Sequence, residues 1–284
     1  MIAVPVLALQ APDAAYRASF EKWKAELVND LKENWLPLVG LFWLKPGANT
    51  FGSASDNSII LPSAPPHTGV VTLQGEAVSA EINPGVQAKV QGKLSTREEL
   101  KSDVSGHPTV IELGTLRLHI IQRGKRTGLR VKDVDSEAAR NYHGPVFFPL
   151  DMTYRVIAAF VPSDGKRTVD VPNVLGDLTP TPVAGEVQFS IEGHDLTLTA
   201  SGGDAATGLS FVFRDLTSGG ETYPGGRFLS TDPVKDGKVT LDFNRAYSPP
   251  CAVTPYATCP LAPKENRLQV RIAAGEKYQG KHGH

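Results

Sequence analysis

The sequence predicts a mainly β protein, with an N-terminal amphipathic helix followed by two β-sandwich or barrel-like halves. Three observations carry this. Apolar residues recur at helical spacing near the N-terminus. Beyond residue 36 the apolar runs shorten and alternate with polar residues, the period of a half-buried strand. Clusters of Gly, Pro, Asn and Asp separate those runs at short intervals, as in all-β domains.

The helix rests on Tyr16, Phe20, Trp23, Leu27 and Leu31, which fall on one stripe of a 3.6-residue helix. Asp13 suits the N-cap, and the helix is expected over residues 13–35. Lys22, Lys24, Glu26 and Lys32 mark the solvated side. Such a helix packs on a sheet or, alternatively, on a partner. Residues 1–12 are apolar between Ile2 and Leu9 and carry a small-residue run, Val6-Leu7-Ala8, but no cation precedes Arg17. They read as the trimmed remnant of an export signal or as a disordered start.

Residues 36–140 form the first β half. Gly40–Leu44, Ser58–Leu61, Val70–Leu73, Val86–Val90, Thr109–Leu113, Leu116–Ile121 and Gly128–Val131 read as strands. Arg123-Gly124-Lys125-Arg126 is a hairpin turn between the last two. Residues 141–280 form the second half, with strands at Tyr154–Phe160, Thr168–Val171, Gly185–Ile191, Asp195–Ala200, Leu209–Asp215, Val239–Phe243 and Leu268–Ile272. Glu192-Gly193-His194-Asp195 and Lys235-Asp236-Gly237-Lys238 supply turns.

The chain of 284 residues with a formal net charge of −1 presents no field that would favour nucleic acid or an anionic membrane. Its basic group Arg117, Arg123, Lys125, Arg126, Arg130 and Lys132 lacks the interleaved aromatics of a stacking surface. That group reads as a solvated hairpin or, alternatively, an anion site. No stretch reaches the roughly 18–20 apolar residues of a spanning helix.

Several motifs together resemble the domain-of-unknown-function 1684 family of bacterial and fungal proteins. They include Gly40-Leu41-Phe42-Trp43-Leu44, Asp215-Leu216-Thr217-Ser218-Gly219, Gly226-Arg227-Phe228-Leu229 and Asp242-Phe243-Asn244-Arg245-Ala246-Tyr247. Pro249-Pro250-Cys251 through Cys259-Pro260, Glu265-Asn266-Arg267-Leu268 and Ala274-Gly275-Glu276-Lys277 complete them. The resemblance implies no activity. The first half also resembles a forkhead-associated sandwich, in Pro46-Gly47-Ala48-Asn49-Thr50-Phe51-Gly52-Ser53 and Asp56-Asn57-Ser58-Ile59-Ile60-Leu61 with His67. Such domains read phosphothreonine with an Arg just after the first-loop Gly. Here Ser53 stands there and the Ser-x-x-His pairing is missing, so the resemblance implies the fold without the ligand.

The C-terminal segment concentrates the chemistry. Asp242 and Asn244 point to one face of a continued strand, and Arg245 and Tyr247 to the other. With Tyr223, Arg227 and Glu265 they are the candidate ligand-binding residues. They would line a cleft for a small molecule, with arginines holding an anion and a carboxylate acting as base. Equally, Arg227 and Arg245 would neutralise Asp215, Glu221 and Asp242 structurally. Cys251 and Cys259 have seven residues between them and suit a disulfide in an exported protein. Their spacing fits no zinc knuckle, and no His lies close in sequence for thiol catalysis. No metal or other cofactor is expected. The expected protein is therefore periplasmic or secreted, with a cytoplasmic location as the alternative. It is a non-catalytic envelope or interaction scaffold or, alternatively, a small-ligand-binding or hydrolytic enzyme, with its partner, a small molecule or a protein, open.

Overall fold

The computed structural model describes residues 12–280. It is mainly β and divides into two compact units. One unit comprises the residues up to Asn29 together with those from His143 onward, and the other is Asp30–Tyr142. The N-terminal helix therefore groups with the C-terminal half of the chain, and the second unit is inserted between them in sequence. The signal or disordered start expected for residues 1–12 falls outside the described residues, save Pro12.

Helix α1 runs over Ala14–Asp30 and continues as a π-helical turn, Leu31–Trp35. Asp13 accepts from the Tyr16 backbone N–H at 2.7 Å, satisfying one of the donors a helix start leaves unpaired.

The inserted unit is a sandwich of two sheets. The six-stranded sheet has the order Leu38–Trp43, Arg126–Asp133, Leu116–Arg123, Ile111–Leu113, Ala88–Val90, Lys93–Leu94. The five-stranded sheet has the order Ile59–Ile60, Gly47–Gly52, Gly69–Gln74, Ala77–Ile82, Arg97–Glu99. Their inner faces share one core that includes Phe51, Val71, Leu118, Ile120, Leu129 and Val131. Along Leu116–Arg123 burial alternates as far as Ile120, and Ile121 is then buried on the opposite face. Leu116, Leu118 and Ile120 are buried, while Arg117 and His119 lie on the other face. The Gly124-Lys125 turn closes the hairpin, with Arg123 opposite Arg126 and Gly124 at φ 55°. The basic residues on this hairpin find separate partners, Glu112 for Arg117 and Asp103 for Arg123, while Arg126 sits over Trp43 and Arg130 over Trp35. Burial, then the charges of Arg130 and Lys132, pull the His119 pKa down to about 4, so it is neutral at pH 7.

The other unit has a four-stranded antiparallel sheet, His194–Ala200, Gly185–Ile191, Arg155–Pro162, Lys238–Asp242, and a three-stranded one, Gly202–Asp204, Gly208–Phe213, Arg227–Ser230. Two short ribbons flank them, Thr168–Pro172 with Leu178–Pro182 and Val146–Phe147 with Glu276–Lys277. Both larger sheets contribute to one core, which includes Val187, Leu198, Leu209, Phe211, Phe213, Leu241 and Phe243. Helix α1 packs Phe20 and Trp23 on Phe147, with ring centroids 5.3 and 5.8 Å away.

Several expected strands are shorter, Leu209–Asp215 ending at Phe213 and Thr109–Leu113 starting at Ile111, and two expectations near the candidate site change outright. Leu268–Ile272 is not a strand, although Leu268, Val270 and Ile272 are buried in the core as its alternation requires. Its backbone bonds to the Arg214–Leu216 segment and to side chains rather than to a ladder, as described below. Secondly, the strand at Val239–Phe243 stops at Asp242, and Phe243–Arg245 turns into a 3-10 helix.

Candidate functional site

The candidate residues fall into two polar networks, both in the unit that holds the C-terminal half of the chain. The first is fully buried. Phe213 and Arg227 are register partners at the ends of their strands, which brings Asp215 and the Arg227 guanidinium together. The pair meets at 3.2 Å with neither side chain exposed. Arg227 also donates to the carbonyls of Ala274 and of Ile272, the latter at 3.2 Å, and its guanidinium carbon lies 5.0 Å from the Phe213 ring centroid. Asp215 accepts from Thr217 Oγ1 at 2.6 Å and from the Ile272 N–H at 2.7 Å. Burial lowers the Arg227 pKa, against the opposing pull of Asp215 and Glu276. Together the two side chains bond the backbone of residues 272–274, which therefore needs no neighbouring strand.

Glu276 lies nearby and is buried. Its Oε2 accepts from the Ser248 N–H at 2.8 Å. Burial raises its pKa to about 7, although Ser248 and Arg227 both favour the ionised form.

The second network joins α1 to the sheet. Both Asp242 oxygens accept from the Tyr16 hydroxyl at 3.0 Å, and Oδ1 accepts from Asn244 Nδ2 at 3.2 Å. The Nε atoms of Arg245 and Arg155 lie 3.6 and 3.8 Å from Oδ2. Arg245 donates to Ser19 Oγ at 2.8 Å and sits over Trp23. Asn244 brackets Asp151, donating to its carbonyl at 2.9 Å and accepting from its N–H at 3.0 Å. Burial, followed by the Asp242 charge, raises the Tyr16 pKa. The expected opposition of Arg245 to Asp242 across a strand does not occur. The 3-10 turn swings Arg245 onto the same carboxylate, because three residues make one such turn. Tyr16→Phe is expected to lower the unfolding free energy by about 1.5–3 kcal/mol, since it removes a hydrogen bond to a charged acceptor. Comparison of its thermal unfolding with wild type checks this.

Arg227 and Arg245 thus belong to different networks, and Glu221 to neither, since it forms a two-bond pair with Arg271 at 2.8 and 3.0 Å. Tyr247 stacks edge-on against Phe228 and Trp23 and lines a cavity of about 370 Å³ walled by Phe211, Phe228 and Pro260. Glu265 lies on the 3-10 turn Lys264–Asn266, with Lys264 4.0 Å away. Tyr223 is buried edge-on to Tyr278, and burial followed by Cys251 and Cys259 raises its pKa. Cys251 and Cys259 are buried side by side, each backbone N–H donating to the other's Sγ at 3.2 and 3.3 Å.

Four further residues were not among the candidate ligand-binding residues. Tyr16 completes the Asp242 network from 226 positions away. Asn266 is fully buried and clips Thr199 and Val212 with its amide. Arg214 and Arg267 lie together at a second cavity of about 420 Å³. Among the described residues no cluster of three or more His, Cys, Asp or Glu is placed to hold a metal, and no helix is long and apolar enough to cross a membrane.

The family model described as "Protein of unknown function (DUF1684)" matches residues 140–277, the stretch that holds both networks apart from α1. The chain belongs to the DUF1684 family. A solved relative, an uncharacterized protein of Haloarcula marismortui determined by solution NMR, is 32% identical to this DUF1684 protein. The match covers 51% of this chain and 82% of that one, with a TM-score of 0.42. A structure described as that of phosphothreonine-dependent FHA domain interactions matches at 15% identity, covering 32% of this chain and 92% of that chain. Its TM-score is 0.24, too low to assign a fold. No curated protein matches the chain.

Proposed function

We propose that this DUF1684 protein is a non-catalytic envelope or interaction scaffold, exported to the periplasm or secreted, with its C-terminal domain clamped by a Cys251–Cys259 disulfide. The observation that carries the scaffold reading is the coordination of Asp242. Asp242, one of the candidate carboxylates, is held by Tyr16, Asn244, Arg155 and Arg245. A carboxylate whose oxygens are already taken up by donors and cations of the chain has none to offer a substrate, whereas it anchors the helix well. The division of Arg227 and Arg245 between separate networks supports the same reading.

Export and the clamp are supported by the two cysteines, which are buried against each other in a loop stiffened by Pro249, Pro250, Pro255 and Pro260. Closing a loop this short would contribute about 2.5 kcal/mol on the chain-entropy account.

The scaffold reading is tested with chromogenic ester, phosphoester, glycoside and peptide substrates on wild type and Asp242→Asn. Neither protein is expected to turn any of them over, while the variant melts at a lower temperature. Turnover that Asp242→Asn abolishes overturns the reading. For the clamp, protein purified without reductant is unfolded in denaturant and its thiols counted. None is expected before reduction and two after, and two at the outset would remove the clamp together with the support it lends to export.

A further inference from the structure

We propose that the cleft between Arg214 and Arg267 binds a small organic anion, a carboxylate or phosphate carried on an apolar body. The two arginines are brought side by side by the backbone. They form a parallel bridge in which the Arg214 N–H donates to the Asn266 carbonyl at 2.9 Å and the Leu268 N–H to the Arg214 carbonyl at 2.8 Å. Like charges held as neighbours repel, and an anion beside them relieves the repulsion. Other arginines of this unit have such an anion within the chain. Arg227 has Asp215, while Arg155 and Arg245 share Asp242. Among the described residues neither the Arg214 nor the Arg267 guanidinium has a hydrogen-bond or ion-pair partner.

The two arginines line a concave space of about 420 Å³, within the size range of small-molecule sites. Its other walls are mainly apolar, with Tyr223, Pro224, Leu261 and Val174 among them. Two glycines let the backbone pack closely against the groups that wall the space. A Cβ on Gly225 would lie 2.7 Å from Leu261 Cδ2 and from the Tyr223 ring. Gly226 has φ +108°, and a Cβ there would meet the Phe213 carbonyl at 2.7 Å and Arg214 Cγ at 3.3 Å. The arrangement presents two fork-shaped cationic donors at one part of the cleft and an aromatic and aliphatic surface beside them. A planar anion on a ring or short hydrocarbon matches both.

Asn173 also lines the cleft, but its amide is used within its own loop, with Oδ1 accepting from the Leu175 and Asp177 N–H groups at 2.9 and 3.1 Å. Charge recognition therefore falls to the arginines. The site is independent of the scaffold reading, since it contains no group that reading uses and requires no turnover.

The test is isothermal titration calorimetry and thermal shift with inorganic phosphate, phenyl phosphate and benzoate on wild type, Arg214→Gln, Arg267→Gln and Lys166→Gln/Lys235→Gln. Saturable binding of phenyl phosphate or benzoate is expected, tighter than that of inorganic phosphate. The two ring compounds distinguish a phosphate from a carboxylate ligand. Each arginine variant should weaken binding by about tenfold or more, the loss of one charge-assisted contact. The double lysine variant, which removes two exposed charges elsewhere, should bind as wild type. If Arg214→Gln fails to fold, the exposed Arg267 decides through Arg267→Glu, which should abolish binding. No saturable binding of either ring compound, binding by inorganic phosphate alone, or binding unchanged in the Arg267 variants overturns the proposal.

Discussion

Asp215→Ala is expected to lower the unfolding free energy of this protein by about 3–5 kcal/mol, the effect of removing one member of a buried ion pair. The variant leaves the Arg227 guanidinium with no exposure and without its ion-pair partner. It also strands the Ile272 N–H, which donates to the same carboxylate, and the hydroxyl of Thr217 loses its acceptor. Arg227→Met should cost a similar amount, because a buried carboxylate then has no cation and the Ala274 and Ile272 carbonyls lose a donor. Asp215→Leu/Arg227→Met removes both charges, so it should recover part of either single loss. Full recovery is not expected, because residues 272–274 would still lack the partners that replace a strand. Calorimetric unfolding of the four proteins measures this. A single variant that unfolds with wild type would mean that the pair contributes nothing net.

Glu276 gives a second large effect, read through pH. Its carboxyl keeps its proton up to about pH 7 in the folded chain because burial disfavours the anion, against an ordinary value of 4.5. Between those two values the folded state binds more protons than the unfolded state. Rising pH therefore favours unfolding across that window, and the loss levels off above about 7. The separation corresponds to about 3 kcal/mol. Glu276→Gln keeps an acceptor for the Ser248 N–H without the charge. The expected result is that wild type loses about 3 kcal/mol relative to Glu276→Gln between pH 4.5 and 7, with parallel profiles outside that range. Denaturant titrations of both proteins across pH check it. Profiles parallel throughout would place the Glu276 pKa at its ordinary value in the fold.

How much of this was legible depends on the range of the interaction involved. Hairpins were legible because turn chemistry is local. At Ile191–His194 and Lys235–Lys238 the positions that need positive φ carry Glu192-Gly193 and Asp236-Gly237. The helix stripe was legible for the same reason, and Phe20 and Trp23 pack as their spacing requires. Leu178–Pro182 is a strand that the sequence hides, since Pro180 and Pro182 cannot donate to a ladder. It pairs only in a two-stranded ribbon, where one side of each strand needs no partner. Leu268–Ile272 shows the converse. Side-chain alternation reports which residues are buried, and it reported them correctly. It does not report who bonds the backbone, and here Asp215 and Arg227 do so in place of a strand.

The site divides along the same line. The short spacing within Asp242–Asn244–Arg245 was enough to bring those side chains together, since covalent connection leaves them little room to part. The direction of Arg245 was not available, because it depends on a strand ending one residue earlier than its pattern suggests. The partners that set the chemistry come from far along the chain: Tyr16 for Asp242, Arg227 for Asp215 and Arg267 for Arg214. Residue types and local spacing therefore established the mainly β class, the helix and its apolar stripe, the hairpins and the segment where polar residues gather. The folded chain settled which charges neutralise one another and which pair is left facing a cleft. Coulomb interactions act through space, and sequence separation carries almost no information about distance in space once the chain is folded.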